Sequence, residues 1–244
     1  MNYKGTKKWA LRILRWIRNL LLTLFILSLF FVLLYKYVPV YYTPLMLTRS
    51  IEQLTENKKV RIAHQWVPLS KISPNLYQAV VASEDNLFLI HSGFDFEQIE
   101  VAQQEAAKGR RLRGASTISQ QTAKNVFLFP NRSWIRKGLE AYFTVLIEFV
   151  WGKERIMEVY LNSIEMGDGI FGAQAVARDH FNTTADNLTV PEAALIAASL
   201  PNPRKFNSAK PSAYLLKRQA NIISLMSKIM PVDFDKPNKK EKEK

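Results

Sequence analysis

The longest run of apolar positions in the chain extends from Leu20 to Tyr35, sixteen residues without a charge. A helix that spans a bilayer needs about 20 mostly apolar residues. Arg18 and Lys36 flank the run and can extend their charged ends to the two membrane interfaces. No small-residue cleavage site follows, as it would after a signal peptide. The pattern therefore predicts a transmembrane helix over residues 20–36.

After this run, apolar residues recur mainly at helical spacing, and alternating strand-like runs are scarce. Ser73-Pro74 is typical of a helix start. The pairs Thr117/Gln120 and Thr189/Glu192 fit capping boxes, which start two further helices. A fourth helix is predicted to present one apolar face formed by Leu139, Phe143, Leu146, Ile147 and Val150. The predicted fold class is mostly α.

The predicted organisation has five parts. Residues 1–19 form a basic segment, 20–36 the transmembrane helix and 37–67 a linker near the membrane. Residues 68–232 form one helical domain, and 233–244 a charged tail that we expect to be disordered.

The charge distribution indicates the orientation of the anchor. Basic residues and no acids precede it: Lys4, Lys7, Lys8, Arg12, Arg15 and Arg18. The positive-inside rule then predicts a cytoplasmic N-terminus and an external domain. The net charge of +13 favours anionic partners, but an external domain argues against nucleic acid. The chain has no cysteine, which excludes disulfides and thiolate metal sites.

An acid pair in "SEDNLFLIHSGFD" is the first candidate for chemistry. Glu84 falls at the C-terminal end of the helix that starts at Pro74, where the helix dipole disfavours an ionised carboxylate. Leu87 and Phe88 would add desolvation, so we expect a raised pKa and a stronger base. The alternative is that Glu84 and Asp85 are solvated acids before a turn.

The stretch "GRRLRGASTISQQTAKN" predicts an anion site. Arginines precede a helix start whose free N–H groups and hydroxyls suit an anion. The arginines are Arg110, Arg111 and Arg113, and the hydroxyls include that of Ser116. Gln120 and Gln121 can hydrogen-bond sugars or amides, and Lys124 lies one turn beyond Gln120. The alternative is an ordinary capped helix with a basic flank.

Two further stretches match known motifs, of which one is a candidate site and the other is rejected. In "NRSWIRKGLE", Arg136 and Lys137 share a helix face with Glu140, as a surface ion pair or as part of a site. "GDGIFG" matches G-x-G-x-x-G, but the segment before it is predicted to be helical and no parallel sheet is predicted. We therefore expect a tight loop there and no dinucleotide site.

Taken together, these blocks resemble the bacterial peptidoglycan glycosyltransferases, the lysozyme-like enzymes that polymerise lipid II. They occur in the order "EDNLFLIHSGFD", "GASTISQQTAKN", "RKGLE", "KERIMEVYLN" with "GDGIFGAQAVA", and "EAALIAASLPNPRKFNS". The Ser-x-x-Lys and Lys-Thr-Gly patterns of a transpeptidase domain are absent. The chain thus resembles the monofunctional biosynthetic members. Leu139 and His180 depart from residues common in the family.

The resemblance implies roles for particular residues. Glu84 would be the general base that deprotonates the 4-hydroxyl of the lipid II acceptor. That oxygen would attack C1 of the growing lipid-linked chain, with inversion to a β-1,4 bond and release of undecaprenyl pyrophosphate. Glu140, the second acid, would orient cations, hold a divalent cation such as Mg²⁺ or Mn²⁺, or help the leaving group. The sugars and pyrophosphate would meet Ser116, Gln120, Gln121, Lys124, Arg132, Arg136 and Lys137.

The resemblance also implies a location and partners. The protein would lie in the bacterial inner membrane with its catalytic domain in the periplasm. Its partners would be lipid II, the growing chain, the membrane and proteins of cell-wall synthesis or division. Moenomycin, which mimics the donor chain in this family, would inhibit it. The stretch "NVFLFP" would touch the membrane or belong to the core. The competing hypotheses are a hydrolase and a non-catalytic scaffold.

Overall fold

The computed structural model describes residues 3–57, 59–109, 116–131 and 133–234. The chain divides into two compact units, Met1–Val38 and Pro39–Lys244. The predictions for Arg110, Arg111, Arg113 and Arg132, and for most of the charged tail, lie outside the described residues.

The first unit is one long helix, α1, from Tyr3 to Tyr37. Its apolar part, Leu11–Tyr37, has 27 residues, and its most apolar 18-residue window has a mean hydropathy of 2.4. Within the described part of the chain, this is the one helix long and apolar enough to cross a membrane. The predicted span over residues 20–36 lies inside it, so a single-pass anchor fits the helix.

The second unit is built mainly from helices, which confirms the predicted fold class. They are α2 (Pro44–Thr55), α3 (Pro74–Glu84), α4 (Phe96–Ala107), α5 (Ile118–Phe127), α6 (Trp134–Ser163), α7 (Ala173–Phe181), α8 (Val190–Ser199) and α9 (Ala213–Met226). Short 3₁₀ turns cover Leu69–Lys71 and Ala185–Asn187. Helix α5 packs on α6, and α3 packs on α8 and α9.

The predicted helix starts are confirmed. The Ser73 hydroxyl caps α3, and Pro74 is its first residue. Helices α5 and α8 begin with the capping boxes of Thr117/Gln120 and Thr189/Glu192. In each box, the two side chains satisfy backbone N–H groups that have no partner inside the helix.

A small sheet was not predicted. It contains β1 (Ala63–His64), β2 (Glu165–Gly167) and β3 (Ile170–Phe171), in the order β1-β3-β2. Strand β3 is parallel to β1 and antiparallel to β2, so the glycine-rich "GDGIFG" spans a hairpin. A side chain at Gly169, where φ is +69°, would collide with the Arg61 carbonyl. These glycines therefore serve close backbone packing, as the tight-loop interpretation expected.

Polar side chains fix the segment before α3. The Asn162 amide on α6 bonds both the N–H and the carbonyl of Val67, each at 2.9 Å. Arg49 on α2 forms an ion pair of 3.0 Å with the buried Glu165. Residues 49–67 are therefore attached to α6 and β2.

The predicted face of α6 is wrong at one position. Leu139 is 45% exposed, whereas Glu140, Thr144, Ile147 and Trp151 form the buried stripe. Two polar residues, Glu140 and Thr144, therefore occupy buried positions at the start of this stripe, and the Thr144 hydroxyl donates to the Glu140 carbonyl oxygen at 2.7 Å. Gly152, with φ 75° and ψ 169°, interrupts the helix one residue beyond Trp151.

Candidate active site

Glu84 is the last residue of α3, and its half-buried side chain lines a cleft. One carboxylate oxygen accepts a hydrogen bond of 3.1 Å from Nε2 of Gln121. Burial raises the pKa of Glu84 above its ordinary value of 4.5, while the Gln121 bond, Arg218 and Lys124 oppose the rise. The predicted rise is confirmed, and desolvation is its largest cause.

Asp85, the neighbouring acid, has a structural position. It is 6% exposed, and its Oδ2 accepts a bond of 2.9 Å from the Ile118 N–H at the start of α5. Its Oδ1 lies 2.8 Å from Nε2 of His91. Nδ1 of His91 accepts from the Gly93 N–H, so Nε2 carries the proton that His91 donates to Asp85. The interpretation as a solvated acid is therefore wrong for Asp85.

Gln121 connects Glu84 to the buried side of the site. Its Nε2 also lies 3.4 Å from the carbonyl oxygen of Ser116, and its Oε1 accepts a bond of 3.2 Å from the Tyr160 hydroxyl. Gln120 is 4% exposed, and its side-chain oxygen accepts from the Thr117 N–H. The structure therefore brings Ser116 and Gln121 to Glu84, whereas the side chain of Gln120 holds the start of α5.

Glu140 lies inside a cluster of cations. The carboxylate is 3% exposed. Its two oxygens lie 2.9 Å from Nη1 of Arg136 and 2.6 Å from Nζ of Lys137. Among the residues that the structure describes, nothing accepts a hydrogen bond from the buried Nε of Arg136. A ligand that reached this buried N–H would find an unused donor beside two cationic side chains.

Lys124 links the two glutamates electrostatically. Burial lowers the pKa of Lys124 below its ordinary value of 10.5; Glu140 is the strongest influence that raises it, and Glu84 raises it as well. The nearby charges of Arg136 and Lys137 lower it further. Helix α5 thus carries Gln121, which donates a hydrogen bond to Glu84, and Lys124 one turn later, whose pKa depends on the charges of both acids.

The cleft beside Glu84 has a volume of about 1210 Å³. Glu84, Ser116 and Gln121 line it on one side. Asn202, Lys205 and Arg218 also line it, and they were not selected from the sequence. Asn202 and Lys205 lie in the block "EAALIAASLPNPRKFNS", which was the only sequence signal for them. Arg218 had no such signal, since it lies on α9 and approaches Glu84 through the packing of α3 on that helix.

The residues at the site do not form a ready metal site. Within the described ranges, no group of three or more His, Asp or Glu side chains could hold a metal ion. Both Glu140 oxygens already face cationic side chains. The donor set therefore suits an anion better than a divalent cation.

A stripe of apolar side chains is exposed along the first half of α6. Trp134 is 92% exposed, Ile135 79% and Phe149 89%. In the preceding "NVFLFP" stretch, Leu128 is buried but Phe129 is 58% exposed. Leu128 therefore belongs to the core and Phe129 faces outward, whereas contact of this stretch with a membrane stays a prediction.

Comparison with known proteins shows similarity over most of the chain, well beyond the site residues. The family profile described as transglycosylase matches residues 49–227, which begin inside the predicted linker. A "Biosynthetic peptidoglycan transglycosylase" of Bacteroides thetaiotaomicron is 59% identical over 236 residues, 96% of this chain and 95% of that protein. Proteins of the same name from Bdellovibrio bacteriovorus and Chromohalobacter salexigens are 51% and 48% identical. They cover 91% and 87% of this chain and 88% and 91% of their own lengths.

Proposed function

Because the chain belongs to the transglycosylase family and is a peptidoglycan glycosyltransferase, we propose that it polymerises lipid II into β-1,4-linked glycan strands. The single observation that carries this proposal is Glu84, a glutamate of raised pKa that lines a large cleft close to a cluster of cations. The substrates are lipid II and the lipid-linked growing chain, and the product besides the glycan is undecaprenyl pyrophosphate.

The bond-forming step uses Glu84 as a general base. The ionised carboxylate removes the proton from the 4-hydroxyl of the acceptor sugar, and the oxygen attacks C1 of the donor. The bond from C1 to pyrophosphate breaks with inversion, and the pyrophosphate keeps the electron pair. A raised pKa makes the carboxylate a stronger base at the cost of a smaller ionised fraction at low pH.

The leaving group meets the cations that surround Glu140. Arg136, Lys137 and Lys124 offer positive charge to the pyrophosphate, and the free Nε–H of Arg136 offers a hydrogen bond. Glu140 holds Arg136 and Lys137 in place by its two oxygens. Since these oxygens face cations, we assign charge neutralisation to side chains and not to Mg²⁺ or Mn²⁺.

The location follows from the anchor and the charges before it. We place the N-terminus in the cytoplasm and the catalytic unit on the outer side of the inner membrane. The exposed stripe of α6, with Trp134, Ile135 and Phe149, is of the kind that enters a lipid interface. Such a position suits an enzyme whose two substrates are held by lipid.

The test is polymerisation of labelled lipid II by the full chain in detergent, with and without moenomycin. We expect polymer that moenomycin abolishes and that EDTA leaves intact. Release of soluble fragments from preformed cell wall, without polymer, would identify a hydrolase. Loss of polymer with EDTA and its recovery with Mg²⁺ would restore the metal hypothesis for Glu140. Activity in neither assay would favour the scaffold.

A further inference from the structure

Tyr160 forms the buried end of a hydrogen-bond chain that leads to Glu84. The residue lies on α6 beyond Gly152 and has no exposed surface. Its hydroxyl donates to Oε1 of Gln121 at 3.2 Å, and Nε2 of Gln121 donates to Glu84 at 3.1 Å. The proposed mechanism uses Glu84 but assigns nothing to Tyr160.

The chemistry of the neighbours determines which way the Gln121 amide points. An ionised carboxylate and the carbonyl oxygen of Ser116 can only accept, so Nε2 must face both of them. The amide oxygen then points at Tyr160 and needs a donor in a buried place. The phenol can serve because burial and the negative charges of Glu84 and Asp85 hold its pKa well above the ordinary value of 10.0.

The hydrogen bonds from Tyr160 to Gln121 and from Gln121 to Glu84 point the same way, and this direction stabilises a negative charge on Glu84. A donor on the amide oxygen polarises the amide and strengthens its N–H as a donor. The O–H and N–H dipoles therefore point the same way, with their positive ends toward the carboxylate. This arrangement favours ionised Glu84 over protonated Glu84, against the effect of burial.

We propose that Tyr160 is a positioning residue for the base: it fixes and polarises the Gln121 amide, and so keeps Glu84 ionised at the lower end of the working pH range. The proposal rests on the assignment of Glu84 as the general base. Without the hydroxyl, Glu84 should become protonated at a higher pH than in the native enzyme.

The other charged groups that face Glu84 are not part of the hydrogen-bond chain from Tyr160. They are Lys124 on α5, Arg218 on α9 and the adjacent Asp85. Arg218 is held separately, by a bond of 3.2 Å from its Nε to the carbonyl oxygen of Ala198. Removal of the Tyr160 hydroxyl therefore tests one hydrogen-bond chain while these charges stay in place.

The first experiment compares Tyr160→Phe with native enzyme across the pH range of lipid II polymerisation. We expect kcat to fall roughly three- to tenfold at acidic pH, the worth of one hydrogen bond, and to approach the native value at alkaline pH. Tyr77→Phe is the matched control, because it removes a hydroxyl from α3 at a ring that packs on Phe234. An equal loss at every pH, or no loss, would overturn the proposal.

A second measurement separates this proposal from the assignment of the base. The carboxyl band of Glu84 is isolated by infrared difference between native enzyme and Glu84→Gln, without substrate. The same difference is then taken in the Tyr160→Phe background. We expect the protonated band to persist to higher pH there. An unchanged titration contradicts the role of Tyr160, whereas an active Glu84→Gln enzyme contradicts the role of Glu84.

Substitution by 3-fluorotyrosine at position 160 keeps the proposal testable should Tyr160→Phe fold poorly. The fluorinated phenol has nearly the same shape and is a stronger donor. We expect Glu84 to titrate at lower pH in this variant, and a shift in the other direction would refute the proposed polarisation.

Discussion

The two glutamates of the site have the same side chain and very different surroundings. Glu84 lines a cleft and accepts a hydrogen bond from a neutral amide, and burial raises its pKa. Glu140 is almost fully buried, and each of its oxygens faces a cation. A carboxylate of the first kind can take up a proton, whereas one of the second kind organises positive charge. The neighbours, and not the residue type, make the two carboxylates different.

Helix α5 makes the contrast possible. Gln121 reaches Glu84, and Lys124 responds to both acids. Asp85 fixes the first N–H of this helix. A substitution at Glu84, at Glu140 or at Lys124 between them should therefore change the surroundings of one glutamate more than those of the other. The following variants test this difference.

The largest effect is expected for Glu84→Gln. Loss of a general base costs typically 10²- to 10⁴-fold in rate. The folded pKa of Glu84 is raised, so its ionisation at neutral pH destabilises the fold, and this variant should melt at a higher temperature. The gain should disappear as the pH falls below the ordinary carboxyl range. Lipid II polymerisation and thermal unfolding at two pH values test both statements, and a slow enzyme that is also less stable would contradict them.

A smaller loss is expected for Glu140→Gln. Arg136 and Lys137 would lose their shared partner and move from their positions in the cluster. Misplacement of charge by about 1 Å costs on the order of 10²-fold, so we expect a loss of about 10- to 100-fold in kcat/KM. Glu158→Gln is the control, because it breaks the Arg155–Glu158 pair on the same helix at 2.7 Å. Equal losses in the two variants would mean that helix stability, and not the cation cluster, explains the result.

The smallest effect concerns the shape of the pH profile. The raised pKa of Glu84 places the acidic limb above 4.5, since the base must be ionised. The lowered pKa of Lys124 places the alkaline limb below 10.5, since the cation must be charged. Lys124→Arg should move only the alkaline limb to higher pH, with rates near neutrality within about tenfold of native. A shift of the acidic limb in this variant would show that the two limbs have been assigned to the wrong residues.

Local sequence signals predicted the parts of the site that depend on neighbours in the chain. Serine and proline marked the start of α3, the helix that ends at Glu84, and the capping box of Thr117 marked the start of α5. The assigned roles of Glu84 and Glu140 came from a resemblance and still await the variants above.

Contacts between distant segments could not be predicted in this way. Tyr160 reads as an ordinary core residue of an amphipathic helix, and nothing local shows that its hydroxyl meets Gln121. Strands of two or three residues are too short for an alternating pattern, so β1, β2 and β3 were missed. Leu139 was placed on the apolar face of α6 because periodicity counts apolar residues, whereas Glu140 is the buried residue at that point of the helix.

The attachments of Arg49 to Glu165 and of Val67 to Asn162 have a mechanical consequence. A chain that is held at one end transmits a pull along its backbone until the pull meets a cross-link to another segment. Both attachments come before α3 in the chain, and both lead to α6 or to β2 directly after it. A pull that enters from the N-terminal side of Arg49 would therefore be passed to β2 and α6 before it reaches α3 and Glu84.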